Sequence, residues 1–383
     1  MRILHTSDWH LGRSFHGFSL HDLTEQFLNE LIEVVREENI TAVLVSGDVY
    51  DQAQPRTETV GLLSYALEEL SALGCTVILT SGNHDSAARL GFAAQILARQ
   101  KVYFYTSLNQ LTQPVILEDG EQKVAVYPIP YLEPRAVARE LDVAPLPHQV
   151  MAAAVEIARA DRNARADLSA SIVMAHCFAT GGQPSESERD LTVGGLKTVS
   201  ASVFEDFTYA ALGHLHGRQK VAENIRYSGS PLAFSFSEEK HHKGAWIIDI
   251  SAHGTLEYAA YEWKTKLQLV TLKATMDELL DPHNFPEATG AICRIIVTDD
   301  VRPLGALEKL RARFEQVAEL YFEPTNAPVP DQRNYTQRMQ QQRSTQEVCA
   351  NFFSHVRGSE LSAEEHQYLE QTCRKAAERD TAS

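Results

Sequence analysis

The sequence predicts an α/β fold, in which a β-sheet flanked by helices is followed by a smaller domain and a helical tail. In the first half of the 383 residues, short β-branched runs alternate with segments of helical periodicity. Around Trp263–Lys266 this alternation changes and the histidine motifs stop. From Glu323 onward the composition changes again, to a Pro-containing linker and a segment rich in Gln, Arg and Glu. These observations predict three domains, 1–264, 265–323 and 324–383.

The first domain contains two predicted helices and eight predicted strands. The first helix places six apolar side chains on one face: Leu20, Leu23, Phe27, Leu31, Val34 and Val35. The second helix spans Thr57–Leu73, with Gly74 well placed just past its end. The predicted strands are Arg2–Leu4, Ala42–Ser46, Val77–Thr80, Val124–Ile129, Ile172–Ala175, Tyr209–Leu212, Ile225–Ser228 and Ala245–Ile250.

The two later domains are shorter. The second shows a β-α-β-α-β pattern, with elements at Leu267–Lys273, Met276–Leu280, Ala291–Thr298, Leu304–Phe314 and Val317–Phe322. In the tail, Val348, Phe352 and Val356 recur at a spacing of four, which places them on one helical face. Ser362 and Glu365 have the spacing of a capping box. That box would start a second amphipathic helix, with Tyr368, Leu369 and Cys373 toward one side.

Composition indicates a soluble protein, with 44% hydrophobic and 22% charged residues. We find neither the run of roughly 18 apolar residues that a membrane span needs nor an N-terminal signal peptide; the N-terminus instead predicts a buried strand. The five cysteines are odd in number, widely spaced and form no CxxC motif. This usage favours a reducing cytoplasm and argues against a disulfide framework or a thiolate zinc site.

The net charge of −16 argues against tight, sequence-independent DNA binding by the isolated chain. A nuclease whose DNA is presented by a partner remains compatible with this charge, because metal ions would supply positive charge at the site.

Five polar clusters each follow a predicted strand: His5–His10, Gly47–Asp51, Gly82–Asp85, Val173–His176 and Leu212–His216. Ligand sites of open α/β sheets gather at the carboxyl ends of strands. We therefore expect these clusters to form one site, with seven candidate metal ligands: Asp8, His10, Asp48, Asn83, His176, His214 and His216.

Such side chains suit the hydrolysis of a phosphoester, which is anionic and repels nucleophiles. Two divalent ions roughly 3.5–4 Å apart can activate water and neutralise charge on the phosphoryl oxygens. One carboxylate must bridge them, and Asp48 is the best candidate. Imidazole and carboxylate ligands together suit Mn, Fe or Zn better than Mg or Ca. The glycines at 47, 82 and 213 are expected to let the backbone turn sharply beside the ions.

A single His or Asp at a strand end is usually a capped or surface group. We assign that ordinary role to five other histidines: His5, His16, His148, His241 and His242. Five clusters in this order, each after an apolar strand, favour a metal site over five such coincidences.

The motif series DxH, GDxxD, GNHD, H and GHxH resembles the calcineurin-like metallophosphoesterase superfamily. Longer segments resemble its SbcD family, the nuclease subunits of bacterial SbcC–SbcD complexes: HTSDWHLGR, GDVYDQAQP, SGNHDSAARL, YPIPYLEPR, SERDLTVGG, ALGHLH and YSGSPLAFSFSE. The resemblance is specific from Met1 to about Ser237 and looser through the second domain. Ala175 departs from the common Gly before His176, and Asp51 stands where archaeal and eukaryotic relatives carry His. Neither change removes a ligand.

This resemblance implies a layered metallophosphoesterase β-sandwich flanked by helices, with a small α+β capping domain and a C-terminal helical tail. It implies that one ion, most often Mn²⁺, is held by Asp8, His10, Asp48 and His216. The other would be held by Asp48, Asn83, His176 and His214. His84 would bind no metal and would instead stabilise the phosphoryl group or protonate the leaving oxygen.

Several neighbouring residues have two interpretations. Asp85 would either orient the His84 imidazole or cap a helix at Ala87–Ala98. Three arginines, Arg13, Arg56 and Arg89, would ring the site and either contact phosphate or form surface ion pairs. Two tyrosines, Tyr127 and Tyr131, would stack on a base or, as we prefer, pack in the core.

The implied function is that of a metal-dependent DNA nuclease acting with an SbcC-like ATPase in DNA end processing, repair and recombination. Its family acts as an ATP-dependent 3′→5′ double-strand exonuclease and a single-strand or hairpin endonuclease, and relatives form homodimers. Two alternatives are a phosphoesterase of small substrates, which would need neither the second domain nor the tail, and a scaffold without activity. The tail helices would either fold back on the catalytic domain or lie in a groove of the ATPase.

Overall fold

The computed structural model describes residues 1–188, 198–325, 344–357 and 360–380. Its contacts divide the chain into two compact units, Met1–Leu269 and Val270–Ser383. The domain limits predicted at 264 and 323 stay predictions. Two predicted features lie outside the described residues, namely the NAPVPDQ linker and most of the SERDLTVGG segment. Within the described part of the chain, no helix has the length and apolar character of a membrane span.

The first unit contains two six-stranded sheets. Its strands are β1 Arg2–Thr6, β2 Ser14–Phe15, β3 Phe18–Ser19, β4 Ala42–Ser46, β5 Thr76–Thr80, β6 Val102–Tyr105, β7 Val115–Asp119, β8 Gln122–Pro128, β9 Ala170–His176, β10 Tyr209–Gly213, β11 Gln219–Lys220, β12 Ile225–Tyr227, β13 Gly244–Ile250 and β14 Leu256–Glu262. The first sheet has the order β14-β13-β1-β4-β5-β6, and the second has the order β11-β12-β10-β9-β8-β7. The short strands β2 and β3 form a separate pair.

The helices of this unit lie outside the two sheets. They are α1 His21–Glu37, α2 Thr57–Ala72, α3 Ala87–Leu90, α4 Ala94–Leu97, α5 Pro134–Val137 and α6 Pro147–Ala164. Short 3₁₀ turns occur at Ala98–Gln100, Leu108–Gln110, Ala201–Phe204 and Phe236–Glu238. Apolar residues of α1 and α2 pack on the outer face of the first sheet, and those of α6 pack on the outer face of the second.

Alternate side chains of the central strands face opposite sides, so these strands are buried on both faces. Ile3 and Leu44 pack against Val126 of the second sheet in an inter-sheet core. Their neighbours Leu4 and Val43 pack against the helices. The resulting order of layers, helix-sheet-sheet-helix, confirms the predicted helix-flanked β-sandwich.

The eight strands predicted for the first domain are all present, with ends that shift by no more than two residues. Three longer strands, β6, β7 and β14, escaped prediction. All three are sheet edges, and every residue of β14 is half-buried or exposed, so its sequence lacks a continuous apolar run. The helix predicted at Ala87–Ala98 is wrong as one element: Ala93 takes a positive φ of 61° and separates α3 from α4.

The second unit begins with a three-stranded sheet. Its elements are β15 Leu269–Ala274, α7 Met276–Leu280, a 3₁₀ turn at Pro286–Ala288, β16 Ile292–Val297, α8 Ala306–Arg313 and β17 Gln316–Phe322, with strand order β15-β16-β17. This confirms the predicted β-α-β-α-β pattern. Two tail helices follow, α9 Thr345–Arg357 and α10 Ala363–Asp380. The predicted capping box is confirmed, because Glu365 N–H donates to Ser362 Oγ and Ser362 N–H to Glu365 Oε2.

Candidate metal centre

The candidate site lies at the carboxyl ends of β1, β4 and β5 in the first sheet and of β9 and β10 in the second. These strands run parallel within each sheet, so the loops that follow them meet at one edge. The structure brings together all seven candidate ligands and His84. Whether they bind ions stays a proposal.

Asp48 occupies the centre of the group. Its Oδ2 atom lies 3.4 Å from His176 Nε2, 3.6 Å from His10 Nε2 and 3.9 Å from His84 Nε2. Its Oδ1 atom accepts the backbone N–H of His84 at 2.8 Å. One carboxylate therefore reaches imidazoles on both sides of the site, as a bridging ligand must.

On one side of Asp48 lie Asp8, His10 and His216. The Nε2 atoms of His10 and His216 are only 3.2 Å apart. Asp8 accepts the backbone N–H of His214 with both carboxylate oxygens, at 3.1 Å each. One ligand atom from each of Asp8, His10 and His216 lies within 4.8 Å of the others.

The remaining candidates are Asn83, His176 and His214, of which His176 also forms a group with Asp8 and Asp48 whose ligand atoms lie within 4.8 Å of one another. The Oδ1 atom of Asn83 is 2.9 Å from His176 Nε2 and 3.2 Å from His214 Nδ1. His176 Nδ1 is 3.0 Å from the carbonyl of Ser46. Because a carbonyl can only accept, Nδ1 carries the proton and Nε2 faces the cluster.

The backbone of the site is strained. Asp8, His10, Asp48 and His214 have positive φ values of 52°, 44°, 46° and 104°. Positive φ is uncommon for residues other than glycine and costs of order 1–3 kcal/mol each. Four of the seven candidate ligands share this conformation, which the surrounding structure must therefore impose.

Two glycines allow backbone and side chains to approach each other closely. A Cβ on Gly82 would lie 2.1 Å from Asp48 Oδ1, and one on Gly213 would lie 1.8 Å from the Ser46 carbonyl oxygen. The prediction of sharp turns at 47, 82 and 213 needs correction, since only Gly47 has a positive φ. The other two are required for space, because φ there is ordinary.

His84 and Asp85 differ in their contacts. His84 Nδ1 donates to the carbonyl of Asp51 at 2.8 Å, which directs Nε2 toward Asp48. The Asp85 carboxylate accepts backbone N–H groups of Val49, Tyr50 and Gly82 at 2.9–3.0 Å. Both predicted roles of Asp85 are therefore wrong. It joins the loop after β5 to the loop after β4, and Ser86 is the residue that precedes α3.

The site's charges are strongly coupled. Burial would raise the pKa of Asp48, but His176, His10 and His84 hold that pKa well below its usual value. Burial would lower the pKa of His176, yet Asp48 raises it to about 9. Burial, followed by the nearby His176, lowers the pKa of His214 to about 3. Asp48 is thus anionic and His214 neutral, the protonation states that metal ligands need.

The donor set fits divalent ions. It offers two carboxylates, one amide oxygen and four imidazoles, a mixture that suits Mn, Fe or Zn. The buried Asp48 carboxylate needs a positive charge nearby, and a protonated His176 supplies it in this structure. A divalent cation can supply that charge instead of the His176 proton. His84 also lies in a group with His10 and Asp48 whose ligand atoms are within 4.8 Å of one another. The geometry therefore also permits His84 to be a ligand.

The arginines differ in position. Arg13 Nη1 lies 3.4 Å from Asp51 Oδ1, and the guanidinium covers the ring of Phe234 at 4.5 Å. Arg13 and Arg56 both line a cleft of about 240 Å³ beside Asp51. Arg89 is exposed and donates to the Ala53 carbonyl at 3.0 Å.

The two tyrosines agree only in part with the preferred core packing. Tyr127 is buried, packs among apolar residues and donates to Asp161 at 3.0 Å. Tyr131 is half-buried; its hydroxyl donates to Glu133 at 3.1 Å, and its ring meets the edge of His176.

Three of the histidines that were assigned ordinary roles form hydrogen bonds or ion pairs with residues outside the candidate ligand set. His5 is buried and bonded to the Tyr209 hydroxyl at 3.0 Å. His148 accepts the N–H of Ser200, and the exposed His242 pairs with Glu262.

Sequence reasoning missed a group of polar residues around His216, namely Ser187, Glu188, Glu238 and Lys243. Three of them lie in or just after the SERDLTVGG and YSGSPLAFSFSE segments, and Lys243 is five residues after Glu238. The available signal was the density of Ser and Glu in those segments. Nothing in their spacing shows that they meet at His216.

Comparison with known proteins agrees with this geometry. A sequence profile described as calcineurin-like phosphoesterase matches residues 1–218. A curated protein of Staphylococcus saprophyticus, named as the SbcD subunit of the nuclease SbcCD, is 34% identical over 262 residues, which cover 65% of this chain and 66% of that protein. The protein of the same name from Staphylococcus epidermidis is 24% identical over 367 residues, covering 94% and 95%. The first match thus spans just under two thirds of that relative's length.

Among solved structures, TT1561 of Thermus thermophilus is 13% identical and covers 68% of this chain and 98% of its own, with a TM-score of 0.37. That likeness is too low to support any inference. The profile match covers more than half of the chain and includes every candidate ligand, and the chain therefore belongs to the calcineurin-like phosphoesterase family.

Proposed function

We propose that this chain is a two-metal DNA nuclease that processes DNA ends in repair and recombination together with an SbcC-type ATPase. The observation that carries the proposal is the position of Asp48, whose Oδ2 lies within 3.6 Å of imidazoles from both sides of a buried site. One ion would be held by Asp8, His10, Asp48 and His216, and the other by Asp48, Asn83, His176 and His214. We propose Mn²⁺ as the ion.

When bound, the two ions would activate water and neutralise charge on the phosphoryl oxygens. The residues of the chain do the rest. The Nδ1–H group of His84 donates to the Asp51 carbonyl, which leaves Nε2 facing the site. In the imidazolium form, the Nε2–H group can donate its proton to the leaving oxygen or stabilise the phosphoryl group. Burial of the imidazoles excludes bulk water and strengthens these interactions.

DNA is favoured as the substrate by two features. The guanidinium groups of Arg13 and Arg56 line the cleft beside Asp51, where they can contact backbone phosphates. Two relatives are named as subunits of a nuclease. With a net charge of −16, the chain needs a partner that supplies the basic surface for duplex DNA. We propose that this partner is the ATPase and that it is bound through α9 and α10.

We further propose that activity on duplex ends is ATP-dependent and runs 3′→5′. The same site would open hairpins as an endonuclease, and two copies of the chain would work in a heterotetramer in the cytoplasm. These details follow from the family resemblance.

One assay tests the proposal. The purified chain is loaded with Mn²⁺ and offered hairpin DNA, linear duplex and a chromogenic phosphodiester, each with and without the ATPase and ATP. We expect cleavage of the small diester and the hairpin by the chain alone, and cutting of duplex that depends on ATPase and ATP. Cleavage of the small diester without any DNA cleavage, even with the partner, would identify a small-substrate phosphoesterase instead.

A further inference from the structure

The imidazole of His216 is held from its outer side by a chain of polar side chains. Ser187 Oγ lies 2.5 Å from His216 Nδ1, and the same hydroxyl contacts Glu238 Oε1. The other oxygen of Glu238 forms an ion pair with Lys243. We propose that Ser187, Glu238 and Lys243 are positioning residues that fix His216 as a metal ligand, an inference that rests on the metal centre proposed above.

The order of donors and acceptors fixes the tautomer of His216. The Glu238 carboxylate can only accept, so the single proton of the Ser187 hydroxyl points to Glu238. The Ser187 oxygen then accepts a hydrogen bond from the Nδ1–H group of His216. The other ring nitrogen, Nε2, keeps its lone pair and faces His10 Nε2 at 3.2 Å. This is the form of histidine that binds a cation, and a carboxylate that orients it is the usual outer support of a metal-bound imidazole.

Glu238 can serve as the carboxylate that orients His216 because its own buried charge is paired and hydrogen-bonded. It is 1% exposed, and a buried carboxylate is costly unless it is paired and hydrogen-bonded. Lys243 supplies the opposite charge, and Ser235 and Ser185 donate to Glu238 Oε1 at 2.9 and 3.1 Å. Ser187 is one donor among several, so its removal leaves no buried charge unpaired.

The same group holds the backbone of His216. Its N–H donates to Glu188 Oε1 at 2.7 Å, and its carbonyl accepts from Lys243 Nζ at 2.8 Å and from the N–H of Ser230 at 3.1 Å. The residue is therefore fixed at its amide, its carbonyl and its ring. With the backbone of His216 held by other groups, substitution of Ser187 removes the support of the ring and one of the hydrogen bonds to Glu238.

The test measures Mn²⁺ binding to the full chain. Binding is monitored by the decrease in the electron paramagnetic resonance signal of free Mn²⁺. We expect wild type to bind two ions. Ser187→Ala should weaken one site by about 10- to 100-fold and leave the other unchanged. Ser187→Thr keeps the hydroxyl and should restore the affinity. The matched control is Ser235→Ala, which removes another hydroxyl from the same oxygen of Glu238 without touching His216 and should keep both affinities.

Each outcome is decisive. If wild type itself binds no pair of ions, the proposed metal centre fails, whatever the variants do. If wild type binds two ions and Ser187→Ala binds both with the same affinities, the positioning role is refuted. Equal weakening by Ser187→Ala and Ser235→Ala, or loss of folded structure in Ser187→Ala by circular dichroism, would assign the hydroxyl to general stability and would also refute it.

Discussion

The candidate metal centre buries polar side chains, whereas the tail helices expose apolar ones. At the centre, His10, His176 and His216 are polar yet no more than 2% exposed. In the tail, Phe352 and Phe353 are apolar yet 49% and 48% exposed. A buried polar group is costly unless it is bonded, and neighbouring exposed aromatic side chains commonly mark an interaction surface. We propose that each region binds something, metal ions at the centre and a partner at the tail.

From this contrast we expect that chemistry and recruitment of the partner can be separated. At the centre, hydrogen bonds from backbone and side chains orient the imidazoles of His176, His84 and His216. The tail presents an apolar face that suits the groove of a partner. Changes at the centre should therefore leave the complex intact, and changes in the tail should leave the chemistry intact.

The largest effect is expected for Asp48→Asn, which removes the charge shared by both ions. Turnover of a small phosphodiester should fall at least about 10³-fold, roughly 4 kcal/mol of transition-state stabilisation. Elemental analysis should show loss of the two-ion state, while the variant still co-purifies with the ATPase. Asp167→Asn, at an exposed carboxylate, is the control. Full occupancy together with normal turnover would show that Asp48 does not bridge.

His84→Gln should separate binding from catalysis within the centre. Glutamine keeps a polar group of similar reach but cannot act as an acid, so turnover should fall by about 10²-fold. Metal content should remain near two ions, because His84 is proposed to bind none. The control is His253→Gln, at an exposed position. Loss of metal in His84→Gln would make His84 a ligand, which its distance from Asp48 permits.

Phe352→Asp tests the tail. A charge in the apolar face should weaken binding of the ATPase by about 30-fold or more, the effect of losing an interface hot spot of about 2 kcal/mol. Duplex cutting stimulated by ATP should fall with it, whereas cleavage of a small phosphodiester and the melting temperature should stay unchanged. Asn351→Asp places the same charge at the neighbouring exposed position of α9 and should be harmless.

A chain that ends near residue 326 should show the same defect as Phe352→Asp. It should fold, bind two ions and cleave small phosphodiesters, but fail to co-purify with the ATPase. If the shortened chain unfolds or still captures the ATPase, the helices belong to the core and the contrast with the metal centre is lost.

The smallest effect concerns DNA affinity. At physiological salt the isolated chain should bind duplex DNA no more tightly than about 1 µM, because its net charge is −16. Adding the ATPase should tighten binding and steepen its dependence on salt as more phosphates are neutralised. Nanomolar binding by the chain alone would mean that a local basic surface outweighs the net charge.

The parts of the molecule that could be predicted are those whose signal lies within one short segment of the sequence. The runs before Asp8, Asp48 and Asn83 predicted strands. In the structure these strands run parallel and bring their carboxyl ends to one edge. The order of the motifs then predicted one site. The capping box at Ser362 was predictable for the same reason, since both partners lie within one helical turn.

The rest depends on contacts between distant segments. Asp85 suggested a local cap, but its carboxylate binds N–H groups of the loop after β4, about 35 residues away. Ser187 meets Glu238 across 51 residues. In these two cases tertiary packing decides the conformation, and local spacing carries no trace of it. The break between α3 and α4 is different, because Gly91 caps α3 two residues before Ala93, a local signal that the predicted single helix passed over.

The position of the metal centre has a consequence for how the protein folds. Its contacts join the two sheets: Asp8 after β1 accepts the N–H of His214 after β10, and His176 of β9 donates to Ser46 of β4. The ligands can therefore assemble only after the sheets have docked, and bound ions would act as a cross-link between them. Ions that bind late in folding slow unfolding without accelerating folding. A chelator should accordingly raise the unfolding rate and leave the folding rate unchanged.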